Sequence, residues 1–133
     1  MNTPHDADPP ADNDSRPPAP LGPYSPVVRA GDLLFLSGQT PVDPRTGKLI
    51  DGDIGAQTTR ALRNLEIVLQ GAGATWSNVV KTTVFLRDMA DFAAMNAAYA
   101  AHTGSTLPAR STIAVAGLPL DARVEIEAIA HLP

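Results

Sequence analysis

The sequence feature that most constrains the fold is a short apolar run at residues 33–36, Leu-Leu-Phe-Leu, which directly follows the turn residues Gly31 and Asp32. Side chains alternate between the two faces of a β-strand, so a strand that is apolar at every position needs cover on both faces. Residues 27–29, before the turn, are also strand-like, which predicts a β-hairpin. Any fold for this chain must therefore cover both faces of a sheet.

Two segments with helical periodicity are available as cover. Between residues 54 and 70 the apolar positions follow the i, i+3, i+4, i+7 spacing of an amphipathic helix, and they are Ala61, Leu62, Leu65, Val68, Leu69 and Ala72. The opposite, solvent-facing side is predicted to carry Arg60, Arg63, Asn64 and Glu66. Asp51 or Asp53 can cap the start of this helix, and Gly71 and Gly73 can end it.

A second helix is predicted to run from Asp91, as its N-cap, to about His102. Its inward stripe is predicted to be Phe92, Met95, Asn96 and Tyr99. Further strands are predicted at residues 79–87, 110–116 and 122–130, the last two joined as a hairpin by the turn 117–121. The loop 41–53 has turn chemistry at 43–47 and room for a short strand at 48–50.

This order of elements predicts an α+β fold, with both helices on one face of the sheet. No third helix is predicted to cover the other face, although the run at residues 33–36 requires it. We therefore expect the uncovered face to meet copies of the same chain.

Composition divides the 133-residue chain into two parts. Residues 1–20 contain six prolines and no Val, Ile, Leu, Phe, Tyr or Trp, which predicts a disordered tail ahead of one domain at residues 21–133. Four aspartates and one arginine give this tail −3 of the formal net charge of −4, which leaves about −1 for the domain. We expect no secretory signal, no membrane partner and no nucleic-acid partner, and a cytoplasmic location. The absence of cysteine excludes disulfides and thiol catalysis.

Arg110 and Glu125 are the leading candidates for chemistry. An arginine fork binds a carboxylate in a bidentate manner, and a carboxylate near it can accept a proton from water, so the pair suggests a small anionic substrate and a hydrolytic step. Strand alternation groups Arg110 with Thr112, and we expect both on the face left uncovered by the helices. Burial would raise the pKa of Glu125, whereas a nearby Arg110 would oppose that rise. The hairpin register leaves open whether the two meet in one subunit, and Glu127 is predicted to be solvated.

Three other residues have both a structural and a functional interpretation. Tyr24 is either a packing residue or a hydroxyl that holds the water or the substrate nitrogen. Asn96 either braces a loop backbone or lines a cleft, because a buried amide needs partners. Gly38 either lets a ligand approach the backbone N–H or serves turn geometry.

Metal and triad chemistry are not predicted. The three histidines show no ligand spacing, so we expect neither a metal site nor a cofactor, and no Ser-His-Asp pattern is recognisable. Asp88 and Asp91 are predicted to be turn and cap residues.

Several ordered motifs resemble the RidA (YjgF-type) family. They are Gly22-Pro23-Tyr24-Ser25, residues 36–41 (LSGQTP), 69–73 (LQGAG), 80–86 (VKTTVFL), Asp91-Phe92 with Asn96 and Tyr99, 108–111 (PARS) and 124–128 (VEIEA). Together they extend from about residue 21 to residue 130.

The resemblance implies a chorismate-mutase-like fold, a homotrimer with clefts between subunits, and cofactor-free hydrolysis of small enamines and imines. It implies that Arg110 binds the substrate carboxylate, that Glu125 and Tyr24 are catalytic, and that Gly38, Asn96 and Thr112 line the site. Thr112 stands where many members have cysteine, and the segment 96–110 is about three residues shorter than in typical members.

The predicted function is therefore a 2-iminobutanoate/2-iminopropanoate deaminase that releases a 2-keto acid and ammonia. Three alternatives stay open at this point. They are a non-catalytic trimer that binds a small carboxylate, a nuclease or translation inhibitor, and a deaminase of a larger enamine acid.

Overall fold

The computed structural model describes residues 16–133, in which five strands form one mixed sheet. The strands are β1 (Val27–Ala30), β2 (Leu33–Gln39), β3 (Val79–Leu86), β4 (Ala109–Ala114) and β5 (Val124–His131), and the helices are α1 (Ile54–Gly71) and α2 (Phe92–Thr103). The order across the sheet is β1-β2-β5-β3-β4. β3 and β4 are parallel and are connected through α2, whereas all other neighbours are antiparallel. The predicted α+β class, with two helices on one face, is confirmed.

Helix α1 forms where the apolar periodicity predicted it. The Asp53 carboxylate accepts a hydrogen bond from the N–H of Ala56 at 2.9 Å, which fixes the first turn. Leu62, Leu65 and Leu69 are fully buried against the sheet. Each such leucine contributes roughly 2 kcal/mol of hydrophobic stabilisation, so this stripe anchors the helix.

The predicted polar face of α1 is wrong at two positions. Arg60 and Asn64 are buried, because α1 is also covered on that side by the loop after β2. The Arg60 guanidinium donates to the Asn64 side-chain oxygen, and the Asn64 amide nitrogen donates to backbone carbonyls of the loop. The loop itself contains only an isolated bridge between Val42 and Leu49, not a strand.

The start of α2 differs from the predicted cap. Asp91 occupies the N-cap position, but its side chain makes no capping hydrogen bond. Its carboxylate instead accepts from the Arg123 guanidinium at 2.8 and 3.3 Å, which ties the helix to the beginning of β5. Asp88 is a turn and cap residue as predicted, since its carboxylate accepts from the N–H of Ala90.

The predicted hairpin between the last two strands is wrong. β3 lies between β4 and β5 and pairs with both, so the segment from Ala114 to Val124 crosses the end of β3. A 3-10 turn at Pro119–Asp121 lies in this connection, where Leu120 has a φ of 59°. The two strands that carry Arg110 and Glu125 are therefore not neighbours.

The face of the sheet opposite the helices carries exposed apolar side chains and has no helix over it in the chain. Leu34 and Leu36 of β2 are buried under the helices, whereas Leu33 and Phe35 on the other side are 37% and 43% exposed. Ile113 on β4 is exposed on the same side, since it pairs with Phe85, the partner of Glu125. β2 is thus apolar on both faces as predicted, but only the row of Leu34 and Leu36 is buried within the chain.

The structure describes residues 16–20 of the segment predicted to be a disordered tail, and the remainder of that segment lies outside the described residues. Pro18 is buried. Together with Ala19, Pro20 and Leu21 it forms part of the wall of a cleft on the uncovered side of the sheet.

Candidate active site

Arg110 on β4 is held by side chains of α2. Its Nη2 donates to the Asn96 side-chain oxygen at 2.6 Å. The guanidinium carbon lies 4.8 Å from the centre of the Tyr99 ring and 5.8 Å from that of Phe92, which are cation–π distances. The Tyr99 hydroxyl is in turn hydrogen-bonded to Thr82 at 2.7 Å. The partly buried cation is therefore fixed from two sides before any ligand is present.

Trp76 continues this aromatic contact into the core. Its indole ring meets the Tyr99 ring edge-on, with the ring centres 6.4 Å apart. Burial raises the pKa of Tyr99, an effect that its hydrogen bond to Thr82 and the charge of Arg110 only partly offset. Tyr99 thus presents a neutral ring to Arg110 at ordinary pH.

The predicted face of Arg110 is wrong. Arg110 and Thr112 pair with Thr82 and Val84 of β3, which belong to the buried, helix-facing row. The strand alternation itself was sound, but it could not tell which row faces the helices. The Thr112 hydroxyl is buried without a hydrogen-bond partner in the part of the chain that the structure describes. The Asn96 side-chain oxygen accepts from Arg110 and not from a loop backbone, and its place in the lining of a cleft stays a prediction.

Glu125 lies on the opposite side of the sheet. Its neighbours Val124 and Ile126 are fully buried under the helices, so Glu125 points to the uncovered face. A Cβ atom added at Gly38 would overlap the Glu125 carboxylate oxygen. Gly38 therefore leaves room for this carboxylate, which neither of the two predicted roles of the glycine had anticipated.

The cleft around Glu125 has a volume of about 460 Å³. Tyr24, Gly38, Gln39, Thr40 and Glu127 line it along with Glu125. Tyr24 is 44% exposed, and its phenol oxygen accepts the N–H of Leu21 at 2.9 Å. Since the oxygen accepts from the backbone, the phenol can use its own proton to donate toward a ligand.

The pKa of Glu125 is raised above its ordinary value of 4.5, first by burial and second by the negative charge of Glu127. Arg110 does not oppose this rise, contrary to the sequence-based expectation, because it lies on the other side of the sheet. Glu127 is exposed as predicted, but it lines the cleft and acts on its neighbour's pKa. A carboxylate with a raised pKa is suited to accept a proton from water.

The candidate site residues of one chain therefore form two separate groups, which are called the arginine half-site and the glutamate half-site. The arginine half-site (Arg110, Asn96 and Thr112) lies under α2 at the β4 edge. The glutamate half-site (Glu125, Gly38 and Tyr24) lies in the cleft on the uncovered face.

Asn64, which was predicted to face solvent, is buried beside the loop that lines the glutamate half-site. Its place three residues after Ala61 and four before Val68, on the apolar stripe, was a usable signal.

Comparison with known proteins assigns the family. The family model described as Endoribonuclease L-PSP matches residues 14–132. The chain belongs to this family, which is the RidA (YjgF-type) family that the motifs resemble.

Two curated relatives and one solved structure illustrate the match. A RutC family protein of Pyrococcus horikoshii is 48% identical over 114 residues, which cover 86% of this chain and 90% of that protein. A 2-iminobutanoate/2-iminopropanoate deaminase of Salmonella typhimurium is 46% identical over 116 residues, covering 85% and 90%. The crystal structure of E. coli TdcF with bound serine matches with a TM-score of 0.83 and 38% identity, covering 90% of this chain and 96% of that one.

Two kinds of feature are absent from residues 16–133. No helix in this range has the length and apolar character needed to cross a membrane. No group of three or more histidine, aspartate or glutamate side chains in the same range could hold a metal ion.

Proposed function

We propose that this protein hydrolyses imines of small 2-amino acids, and their enamine tautomers, to 2-keto acids and ammonia. The observation that carries the proposal is the state of Arg110. Its guanidinium is partly buried and oriented by Asn96, yet no carboxylate among residues 16–133 lies within salt-bridge distance of it. Such a cation favours an anionic ligand, and a substrate carboxylate fits the planar guanidinium fork.

The names of relatives support this substrate class. The Salmonella typhimurium relative is named a 2-iminobutanoate/2-iminopropanoate deaminase, and E. coli TdcF holds serine, which is also a small molecule with a carboxylate. We expect 2-iminopropanoate and 2-iminobutanoate to be substrates of this chain as well.

The proposed site requires two copies of the chain. The two half-sites lie on opposite sides of the sheet, so Arg110 of one copy would face Glu125 of another. The apolar residues on the uncovered side, among them Phe35 and Ile113, would be buried by this association. We propose a homotrimer with one site at each of its three interfaces.

The proposed chemistry needs a group that positions the substrate carboxylate and a base that accepts a proton from water. Arg110 binds the substrate carboxylate, and Glu125 removes a proton from water as its oxygen attacks the imine carbon. The imine nitrogen takes a proton from the protonated Glu125, either directly or through the Tyr24 hydroxyl, which Glu125 then reprotonates, and this gives a carbinolamine. The unprotonated Glu125 next removes the proton of the carbinolamine hydroxyl and passes it to the nitrogen, so the C–N bond breaks, ammonia leaves and the keto group forms. Water is the only co-reactant.

The test of the reaction generates 2-iminobutanoate with an amino-acid oxidase in the presence of semicarbazide, which traps the imine. We expect the wild-type protein to lower the trapping rate and Glu125→Gln to lose most of this effect. If the wild-type protein leaves the trapping rate unchanged, the deaminase proposal fails.

The test of the shared site mixes two inactive variants. Arg110→Ala and Glu125→Gln chains are unfolded together and refolded. If each site combines Arg110 of one copy with Glu125 of another, random assembly restores about a quarter of wild-type activity. If both residues act within one copy, the mixture stays as inactive as either variant.

The description of the family model favours a second candidate, RNA cleavage. The domain at residues 21–133 has nine basic and ten acidic residues, so it lacks the positive charge that attracts a phosphate backbone. We expect no cleavage of a single-stranded RNA. Cleavage that persists in Glu125→Gln and falls steeply with salt would favour this candidate instead.

A further inference from the structure

Asn64 of α1 is fully buried and uses its whole hydrogen-bonding capacity. Its amide nitrogen donates to the carbonyl oxygens of Thr40 at 3.1 Å and Val42 at 2.9 Å. Its side-chain oxygen accepts from Nε and Nη2 of Arg60 at 3.0 and 2.7 Å. Because a guanidinium can only donate, Arg60 fixes which end of the amide faces the loop.

The two carbonyls belong to backbone that has left the sheet. β2 ends at Gln39, and the following residues Thr40 to Val42 contain a proline, which has no N–H to offer. The Thr40 carbonyl also accepts from the N–H of Val42 at 2.8 Å, so Asn64 supplies a second donor to Thr40 and a donor to the Val42 carbonyl. These two bonds tie the loop to α1, and a buried carbonyl that loses its donor is disfavoured. A leucine would pack as well on the apolar stripe of α1, but it could not hold the loop.

This loop forms the wall of the glutamate half-site. Gly38, Gln39, Thr40 and Val42 all line the cleft that contains Glu125. The pairing of β2 with β5 shifts its register between Leu36 and Gln39, so the ladder between these two strands is interrupted at Gly38. The position of Gly38 therefore depends on the residues that follow it, and Asn64 anchors those residues.

We propose that Asn64, oriented by Arg60, is a positioning residue that sets the distance between the Gly38 backbone and the Glu125 carboxylate. The contact between Gly38 and Glu125 is so close that no Cβ atom fits there. A small displacement of the loop consequently moves the carboxylate, or lets it turn away from the attacking water. The catalytic consequence rests on the deaminase function proposed above, whereas the anchoring of the loop does not.

The decisive variant is Asn64→Asp. It keeps the size of the side chain and the oxygen that faces Arg60, but it sets a second oxygen against the two loop carbonyls in place of the amide donors. We expect kcat for 2-iminobutanoate to fall on the order of tenfold or more, because misplacement of a catalytic group is costly. The inhibition constant of 2-oxobutanoate should change less than about twofold, because the Arg110 that binds its carboxylate is oriented by Asn96 of α2 and not by this loop.

A matched control separates positioning from loss of stability. Val68→Ala lies one turn further along α1 and creates a cavity in the same core, while the Asn64 hydrogen bonds to the loop carbonyls stay in place. We expect it to lower Tm and leave kcat unchanged at a temperature well below both transitions. If Asn64→Asp and Val68→Ala have the same kcat, the positioning role is refuted. Should Asn64→Asp not fold, Asn64→Ala, which leaves room for water beside the carbonyls, is expected to show the same fall in kcat.

A substrate-independent measurement keeps this inference distinct from the proposed function. Amide hydrogen exchange of Gly38 and Gln39 should be faster in Asn64→Asp than in the wild type, and unchanged in Val68→Ala. If the wild type is not a deaminase, faster exchange in Asn64→Asp alone still supports the anchor. Equal exchange in all three proteins would overturn it.

Discussion

The two half-sites hold their charged groups in opposite ways. Arg110 is surrounded by side chains that bind it, namely an amide oxygen and two aromatic faces on α2. Glu125 instead occupies space that is free because the neighbouring Gly38 has no side chain. The loop that follows Gly38 is hydrogen-bonded to Asn64 of α1.

The difference follows from what each charge has to do. A cation that binds an anionic ligand is best oriented by uncharged acceptors such as the Asn96 side-chain oxygen, because these leave its positive charge available to the ligand. A carboxylate that must accept a proton would lose basicity if donors or a nearby cation stabilised its charge. Arg110 and Glu125 lie on opposite faces of one sheet, so within one chain the cation does not stabilise the carboxylate; in the proposed homotrimer a second copy would bring the two groups together.

The largest expected effect is on Arg110. We expect Arg110→Ala to lower kcat/KM by about a hundredfold or more, since two charge-assisted hydrogen bonds to the substrate are lost. Arg110→Lys should recover only part of this, because a lysine lacks the planar fork that Asn96 orients. Equal activity of Arg110→Lys and the wild type in the trapping assay would show that a positive charge alone suffices to bind the substrate. The orientation of Arg110 by Asn96 would then have no role in binding.

The corresponding change in the glutamate half-site is Gly38→Ala. Its methyl group has no room beside the Glu125 carboxylate, so we expect kcat to fall on the order of tenfold to a hundredfold as the carboxylate is displaced. Gly117→Ala provides a control, because a Cβ atom at that glycine meets no atom within 4 Å. A kcat for Gly38→Ala that matches the control would mean that Glu125 is mobile and not positioned.

A smaller effect is expected at Asn96. In Asn96→Asp the new carboxylate would pair with Arg110 and compete with the substrate, so KM should rise on the order of tenfold with little change in kcat. Asn96→Ala removes the orienting acceptor without adding a competitor, and its KM should rise by only a few fold. The reverse order of the two KM values would contradict the assignment of Arg110 as the carboxylate-binding group.

The smallest expected effect is a shift in pH dependence. The pKa of Glu125 is raised by burial and by Glu127, so the acid limb of kcat/KM should have its midpoint above 4.5. Glu127→Gln removes one of these causes, which should move the midpoint to lower pH while burial keeps it above 4.5. A midpoint that moves to higher pH in Glu127→Gln would contradict the assignment of Glu125 as the group that titrates.

The free energy of unfolding should also depend on the protonation of Glu125, and the raised pKa gives the direction of that dependence. A carboxyl whose pKa is higher in the folded protein contributes stability below pH 4.5 that is lost as pH rises through the folded-state pKa. Glu125→Gln should therefore raise Tm at neutral pH and have a smaller effect near pH 4. Thermal unfolding at the two pH values measures this difference directly.

The fold was predictable where local patterns decide it. The strict spacing of Leu62, Leu65 and Leu69 predicted α1, and the apolar run at residues 33–36 predicted a sheet with a second face to cover. The topology at the other edge depended on a non-local choice. Pairing of strands adjacent in sequence favoured a β4–β5 hairpin, but β3, α2 and β4 form a parallel crossover unit, which places β3 between them.

The candidate site was predictable in its residues and not in its geometry. Arg110, Glu125, Tyr24 and Gly38 stand in the motifs that resemble the family, yet alternation alone cannot say which row of β4 faces the helices. The alanine-rich sequence of α2 has no strong apolar stripe to decide it, because Ala93, Ala94, Ala97 and Ala98 fit either side. Asn64 was predicted to face solvent because it is polar, whereas a buried amide can donate hydrogen bonds to the carbonyls of a loop, as Asn64 does.

Trp76 gives the arginine half-site a built-in optical signal. It is the only tryptophan in the sequence, and its ring meets Tyr99, whose own ring lies against the Arg110 guanidinium. When a carboxylate binds Arg110, the electric field at the Trp76 indole changes, because only the Tyr99 ring lies between Trp76 and the guanidinium. Tryptophan emission during titration with 2-oxobutanoate would therefore report occupancy of the site without labels or turnover.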